Sequence, residues 1–105
     1  MPKRKSKLEK VRITSGLTSC KVSPGFVIAV PGDRIKFCNR TSGVVYVHVS
    51  DDKLFDEPRF KIAAGRDRTQ KVKGVERGIY PYAVFCAANR AFGTGSSMPI
   101  IIVPR

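Results

Sequence analysis

Apolar residues along this chain recur at the period-two spacing of β-strands, in short runs that turn residues separate. Ile35 and Phe37, for example, alternate with Arg34 and Lys36 directly after a Pro-Gly-Asp turn. The run at 43–49 is rich in β-branched residues, which is typical of a strand buried on both faces. The predicted strands lie at residues 26–30, 34–39, 43–49, 69–75, 78–87 and 98–103.

The spacing of turn residues predicts the fold class. Turn signals recur about every 8–12 residues, as in β-sandwiches and β-barrels. Residues 51–65 form a longer, charged crossover, with one helical turn predicted at 52–55. A chain of 105 residues suits one domain. We predict an all-β domain at 11–105, preceded by a flexible basic tail at 1–10.

The net charge changes this picture, because 20 Lys and Arg residues face only 8 Asp and Glu residues and give a formal +12. Such an excess favours an anionic partner, which leaves nucleic acid, a membrane surface and an acidic protein as alternatives. Tyr80 and Tyr82 are candidates for stacking on bases if they are exposed. The candidate partner-binding residues are Lys3, Arg4, Lys5 and Lys7 in the tail and Arg66, Arg68, Lys71, Lys73 and Arg77 in the domain.

Several function classes find no support in the sequence. No apolar run approaches the ~20 residues that a membrane helix needs. One histidine and no GxSxG or P-loop motif provide no nucleophile–base or phosphate-binding set, so we expect no enzyme. A signal peptide is not visible, which fits either a cytoplasmic chain or a mature exported one.

Three cysteines, Cys20, Cys38 and Cys86, allow at most one intramolecular disulfide. Cys38 and Cys86 each close a predicted strand and are expected at the same end of the sandwich, where they could form a bridge or a thiol pair. Cys20 could pair with Cys38 instead. In a reducing compartment all three would stay reduced and buried.

Four segments in order resemble the cupredoxins, the small blue copper proteins. They are "FVIAVPGDRIKFCN", "RTSGVVYVHV", "GIYPYAVFC" and "GTGSSMPIIIV", and together they span about residues 20–103. The resemblance implies a cupredoxin-like Greek-key β-sandwich of about seven to eight strands. It also implies that Cys86 stands at the position of the copper thiolate.

The other ligand positions depart from the family's pattern. A type-1 copper site needs two imidazoles and a weak axial sulfur beside the thiolate. Asn89 stands near the place of the loop histidine, Met98 is a candidate axial ligand, and Val45 holds the usual place of the first histidine. His48, the only histidine, comes three residues later and therefore on the opposite strand face.

Two functions follow from this ligand set. The first is a non-enzymatic binding module that meets an anionic or protein partner through its basic surface and needs no cofactor. The alternative is a copper-binding or electron-transfer protein with an altered ligand set, in which Cys86 and Met98 hold copper with or without His48.

Overall fold

In a computed structural model, the chain is described at residues 6–17, 19–88, 90–94 and 99–104, with side chains for all of these except 91–94. Ten strands lie within the described part of the chain: β1 (Leu8–Ser15), β2 (Cys20–Ser23), β3 (Phe26–Ile28), β4 (Arg34–Asn39), β5 (Val45–Val49), β6 (Arg59–Ile62), β7 (Asp67–Lys71), β8 (Gly78–Cys86), β9 (Ala91–Thr94) and β10 (Ile100–Val103).

The strands form two layers of a sandwich. One layer has the order β6-β5-β8-β10-β3, and the other has the order β9-β2-β1-β4-β7. The layers meet where β9, a member of the second layer, also pairs with the end of β8. From β2 onward the chain crosses repeatedly between the layers, which is the connectivity of a Greek key.

Aromatic side chains fill the space between the layers. The Phe37 ring on β4 meets the rings of Phe55, Phe60 and Tyr82 edge-on, at centroid distances of 6.2, 5.4 and 5.7 Å. Edge-to-face contacts of this kind add about 0.5–1.5 kcal/mol each beyond the burial of apolar area. The core therefore binds β4 of one layer to β6 and β8 of the other.

A buried carboxylate secures the start of the chain. Asp33 is fully buried and accepts hydrogen bonds from the backbone N–H groups of Lys7 and Val30, both at 3.0 Å. Gly32 beside it has φ +98°, a backbone conformation that glycine adopts without strain. This turn places the beginning of β1 next to β4.

The sequence predicted the all-β class correctly, and several details differ. The described residues form ten strands, whereas seven or eight were expected. The larger number arises because short segments such as β2 and β9 form separate strands. Strand β1 begins at Leu8, inside the predicted tail. Strand β5 alternates buried and exposed residues instead of being buried on both faces. Residues 52–55 form turns and bends, without a helix.

Candidate functional site

A disulfide occupies the position where the sequence suggested a copper thiolate. Cys86, at the end of β8, is bonded to Cys20, at the start of β2, with their Cα atoms 5.9 Å apart. Both residues are fully buried. Cys38 is the free thiol of the chain and is also buried. Both disulfide pairings considered from the sequence are therefore wrong, as is the expectation of three reduced thiols.

This pairing follows from which strands carry the cysteines. Cys20 and Cys86 point into the core where the two layers join, close to the hydrogen-bonded β9. Cys38 instead faces outward from β4, since it pairs across the sheet with Arg12 on β1 and Asp67 on β7. The thiol of Cys38 consequently lies on the other side of its sheet from the thiol of Cys86.

The same end of the sandwich is organised by Asn39. Its side-chain N–H₂ group donates to the carbonyl oxygens of Gly43, Ile62 and Ala63 at 2.8–3.1 Å. Its side-chain oxygen accepts from the backbone N–H and the hydroxyl of Thr41 at 2.9 and 2.7 Å. Asn39 is fully buried. Through these hydrogen bonds its side chain joins the β4–β5 loop to the end of β6.

The β4–β5 loop packs directly on the residues after Cys86. A Cβ atom added to Gly43 would lie 3.1 Å from the backbone nitrogen of Ala88, which is closer than most real Cβ contacts. The backbone N–H of Ala87 donates to the carbonyl of Val44. This close approach leaves the loop and the end of β8 in direct contact.

His48 does not join Cys86. Val45 lies opposite Cys86 in the β5–β8 ladder and is fully buried, whereas His48 lies opposite Ala83 and is exposed on the outer face. The three-residue offset reverses the strand face, as the sequence indicated. Asn89 and Met98 lie outside the described residues, so their part in a metal site stays a prediction.

Basic side chains gather on the outer face of the second layer. Their Cα positions are fixed by the ladders of β1 with β2 and β4 and of β4 with β7. Arg34 lies between Leu8 and Lys71, and Lys36 lies between Lys10 and Thr69. We define the basic face as Lys10, Arg12, Lys21, Arg34, Lys36, Arg40 and Lys71.

Asp67 is the acidic side chain at an outward strand position within the described part of this face. It pairs with Arg40 at 2.9 Å and with Lys36 at 3.4 Å. The hydrogen bond from Arg40 is the main cause that lowers the pKa of Asp67 below its ordinary value. Asp67 therefore stays ionised near neutral pH and offsets one of the seven positive charges of the basic face.

A shallow groove of about 320 Å³ crosses the basic face. Its lining consists of Lys10, Arg12, Thr14, Lys36, Cys38 and Arg40. Among the residues whose side chains the structure describes, no aromatic belongs to this lining. The groove thus presents positive charge and hydrogen-bond donors, without a surface on which bases could stack.

Most of the basic residues singled out from the sequence lie elsewhere. Lys71 is the member of the 66–77 group that belongs to the basic face. Arg68 points to the other side of β7, where it contacts the Phe60 ring and pairs with Glu57. Lys73 pairs with Asp56 at 3.5 Å. Arg66 and Arg77 come immediately before β7 and β8.

The two tyrosines belong to the core instead of a binding surface. Stacking of bases on Tyr80 and Tyr82 was a wrong interpretation, because both side chains are buried. Burial raises the pKa of Tyr82 well above its ordinary value. Of the tail residues, Lys7 is exposed beside the Asp33 turn, and Lys3, Arg4 and Lys5 lie outside the described residues.

The residues of the basic face on β1 and β4 are visible in the sequence as two alternating basic pairs, but the sequence does not show that the pairs lie side by side. Lys10 and Arg12 alternate with buried residues on β1, and Arg34 and Lys36 lie on alternate positions of β4. Each pair is ordinary by itself. Only the parallel pairing of β1 with β4 brings them together, and a parallel pairing of distant strands has no local turn signal.

Known structures share this arrangement of strands. A copper nitrite reductase from Nitrosomonas europaea aligns with 100% of this chain at 12% identity and a TM-score of 0.65, and the chain spans 51% of that protein's length. A purple cupredoxin from Nitrosopumilus maritimus aligns with 91% of this chain and 99% of its own, at 15% identity and a TM-score of 0.63.

An amicyanin variant aligns with 90% of this chain and 82% of its own, at 15% identity and a TM-score of 0.56. The chain has the cupredoxin-like fold. No family model and no curated protein matches its sequence. The sequence identities are too low to carry over an activity, so these structures establish only the fold of this cupredoxin-like domain. Its chemistry has to be inferred from its own residues.

The described residues of this cupredoxin-like domain do not fit a type-1 copper centre. The Cys86 sulfur is bonded to Cys20, so it is no thiolate donor while the disulfide is intact. Valine stands opposite it on β5, and the histidine faces away. No group of three or more His, Cys, Asp or Glu side chains suited to a metal occurs in the part of the chain that the structure describes.

Copper titration tests this conclusion. We expect Cu(II) added to the oxidised protein to produce no intense thiolate-to-copper absorption band, because that band requires a sulfur–copper bond. Visible spectroscopy together with metal analysis after gel filtration measures it. The His48→Ala variant is the control and should behave like the wild type.

An intense band with one copper per chain would contradict the conclusion that the domain has no type-1 copper centre, and would identify Cys86 as a copper ligand. Colourless Cu(I) binding that appears only after reduction, and disappears in Cys86→Ser, would instead support the altered ligand set.

The described residues also contain no helix long and apolar enough to cross a membrane.

Proposed function

We propose that this cupredoxin-like domain is a non-enzymatic binding module whose basic face holds an extended polyanion, with a phosphate backbone as the matching ligand. The observation that carries the proposal is the convergence of the seven Lys and Arg residues of the basic face on one side of a sheet, where Asp67 is the outward carboxylate among the described strand positions. The Cys20–Cys86 disulfide, at the position where the resemblance places a copper thiolate, supports a role that does not depend on metal.

The spacing of the cations supports an extended ligand. Alternate residues of a strand are about 6.7 Å apart, and neighbouring strands are about 4.8 Å apart. Lys10 and Arg12 on β1 and Arg34 and Lys36 on β4 therefore form a flat array of charges along two adjacent strands. A flat array contacts several phosphates of one chain at once, and each contact releases counterions.

The groove favours phosphate contact over base recognition. Guanidinium and ammonium groups bind phosphate oxygens through charge-assisted hydrogen bonds. Single-strand binders that read bases add aromatic platforms, and the described groove lining has none. We therefore expect affinity that depends strongly on salt and weakly on sequence.

Charge reversal tests the proposal. Lys10→Glu combined with Arg34→Glu removes two cations from the basic face. Arg59→Glu combined with Lys61→Glu is the matched control, since it makes the same change in net charge on exposed strand residues of the other layer. The probes are a single-stranded DNA oligonucleotide and inorganic polyphosphate, measured by fluorescence anisotropy at several salt concentrations.

We expect the Lys10→Glu/Arg34→Glu variant to bind at least about tenfold more weakly and with a smaller salt dependence, because fewer counterions are released. The control should lose much less affinity. Equal losses in both variants would show that net charge alone drives binding and would overturn the role of the basic face. Tighter binding of polyglutamate than of either phosphate polymer would overturn the phosphate assignment and indicate an acidic protein.

A further inference from the structure

The part of the first layer's outer face that β3, β10 and β8 form lacks the polar residues expected of a sheet that faces water. Antiparallel sheets with one solvated face normally alternate apolar and polar side chains. Strands β3, β8 and β10 instead carry apolar residues on both sides. We define the apolar face as the outward residues Phe26, Ile28, Ile79, Pro81, Ala83, Phe85, Ile100 and Ile102.

Strand register makes these residues one continuous surface. Ile102 lies between Ile28 on β3 and Ile79 on β8, forming one row. Ile100 lies between Phe26 and Pro81 and forms the next. Their neighbours along each strand, which include a valine on β3 and an isoleucine on β10, point into the core. The three strands thus have the composition of strands buried on both faces.

The exposed area is large enough for a specific contact. Ile79 is 66% exposed, Phe26 is 55% exposed and Ile28 is 53% exposed. With about 200 Å² for a whole large side chain, the face offers on the order of 500 Å² of apolar surface. A patch of about this size is the largest on a typical monomer and is often functional. Two such patches in contact would remove about 1,000 Å² from water, the lower bound of a specific interface.

From this surface we infer that the domain forms a back-to-back dimer, in which the apolar face of one copy packs on the apolar face of a second copy. A single self-complementary patch on each chain produces a closed twofold contact. The face carries no charged side chain and so leaves no buried charge without a partner.

The charge distribution favours a second copy in this orientation. The basic face lies on the opposite layer, so back-to-back packing turns the two basic faces away from each other. Four sheets stacked about 10 Å apart separate those faces by about 30 Å. That distance exceeds the Debye length of about 8–10 Å at physiological salt, so repulsion between the two copies is screened.

Arg59 and Lys61 mark the edge of the proposed dimer interface. They lie on the outer face of β6, beyond Tyr46 and His48 on β5, in the same layer as the apolar face. Two copies that overlapped there would bring like charges together. The contact is therefore centred on β3, β10 and the first half of β8.

Sedimentation velocity over a range of protein concentration tests the dimer, without any polyanion present. Ile79→Glu is the main variant, Ile28→Glu is the second, and Leu17→Glu is the matched control because Leu17 is 99% exposed outside the apolar face. We expect dimers in the wild type and in Leu17→Glu, and dimerisation at least about 100-fold weaker in both face variants, since each copy loses a buried isoleucine.

Salt separates this contact from binding at the basic face. The dimer should persist at about 1 M salt, where apolar contacts remain and charge contacts are screened. Thermal unfolding of each variant verifies that it folds. A wild type that is monomeric at all concentrations overturns the inference, as does a dimer that survives both face substitutions. Either result leaves the proposed polyanion binding unaffected, because that binding is measured separately.

Discussion

Removing the disulfide by the paired substitutions Cys20→Ala and Cys86→Ala lowers the free energy of unfolding by about 4 kcal/mol. The bridge joins residues separated by 66 positions. Closing a loop of this length reduces the entropy of the unfolded chain by an amount worth about 4 kcal/mol at room temperature. For a small domain that is a large part of the total stability, which is usually about 5–15 kcal/mol.

The position of the bridge explains why little else compensates for its loss. Strand β2 has four residues, and the backbone pairing that connects it to the first layer runs through β9 to the end of β8. The disulfide ties β2 to β8 at that corner. Without it, we expect the corner to open at lower denaturant concentration than the β1–β4 and β5–β8 ladders.

Chemical denaturation monitored by circular dichroism measures the effect. Reduction of the wild type should produce the same loss as the double substitution. Cys38→Ala is the control, since it removes the buried free thiol and should cost about 1 kcal/mol or less. Three free thiols found by mass spectrometry in the native, unreduced protein would contradict the prediction, and so would a loss below about 1 kcal/mol.

Asn39→Asp is the second substitution for which we expect a large effect, a loss of about 3–5 kcal/mol. The change preserves shape but replaces an N–H₂ donor with an oxygen that faces the carbonyls of Gly43, Ile62 and Ala63. Each buried acceptor that loses its donor costs about 1–3 kcal/mol. The new carboxylate would also be buried without a cation as hydrogen-bond partner.

A neighbouring position in the same loop provides the control. Ser42→Ala removes an exposed hydroxyl from the β4–β5 loop and should change stability by less than about 0.5 kcal/mol. Asn39→Ala should fall between the two, because it removes the donor without adding a charge. Urea denaturation measures all three variants. A loss of under about 1 kcal/mol for Asn39→Asp would show that water or a shifted loop satisfies the carbonyls.

Much of the scaffold was predictable because its signals are local. The alternation of apolar and polar residues, the turns rich in Gly and Pro, and the absence of helical periodicity can all be recognised from neighbouring positions in the sequence. The same locality made the resemblance to cupredoxins informative, and the structural comparisons confirm the fold that it implied. The reversal of strand face between Val45 and His48 also follows from the sequence, since side chains alternate along a strand.

The candidate site was predicted less well, because its parts come from strands distant in sequence. Cys86 and Cys38 were expected at the same end of the sandwich, since both close a strand, and a bridge between them was one of the alternatives. The structure places Cys38 on the outward side of β4 and Cys20 beside Cys86 instead. The alternation along β4 already places Cys38 on the outward side with Arg34 and Lys36. The approach of Cys20 to Cys86 depends on the pairing of β2 with β9 and of β9 with β8, which no local pattern indicates.

The sequence by itself determined the β class, the excess of positive charge and the presence of a single histidine where a type-1 copper site uses two, since each depends on residue types and short spacings. Tertiary structure alone decided the Cys20–Cys86 bridge, the basic face and the apolar face. Each of these is assembled across strands, as where β1 pairs with β4 and β3 with β10. Such parallel pairings join segments without a tight turn between them, so their register depends on the packing of the whole domain.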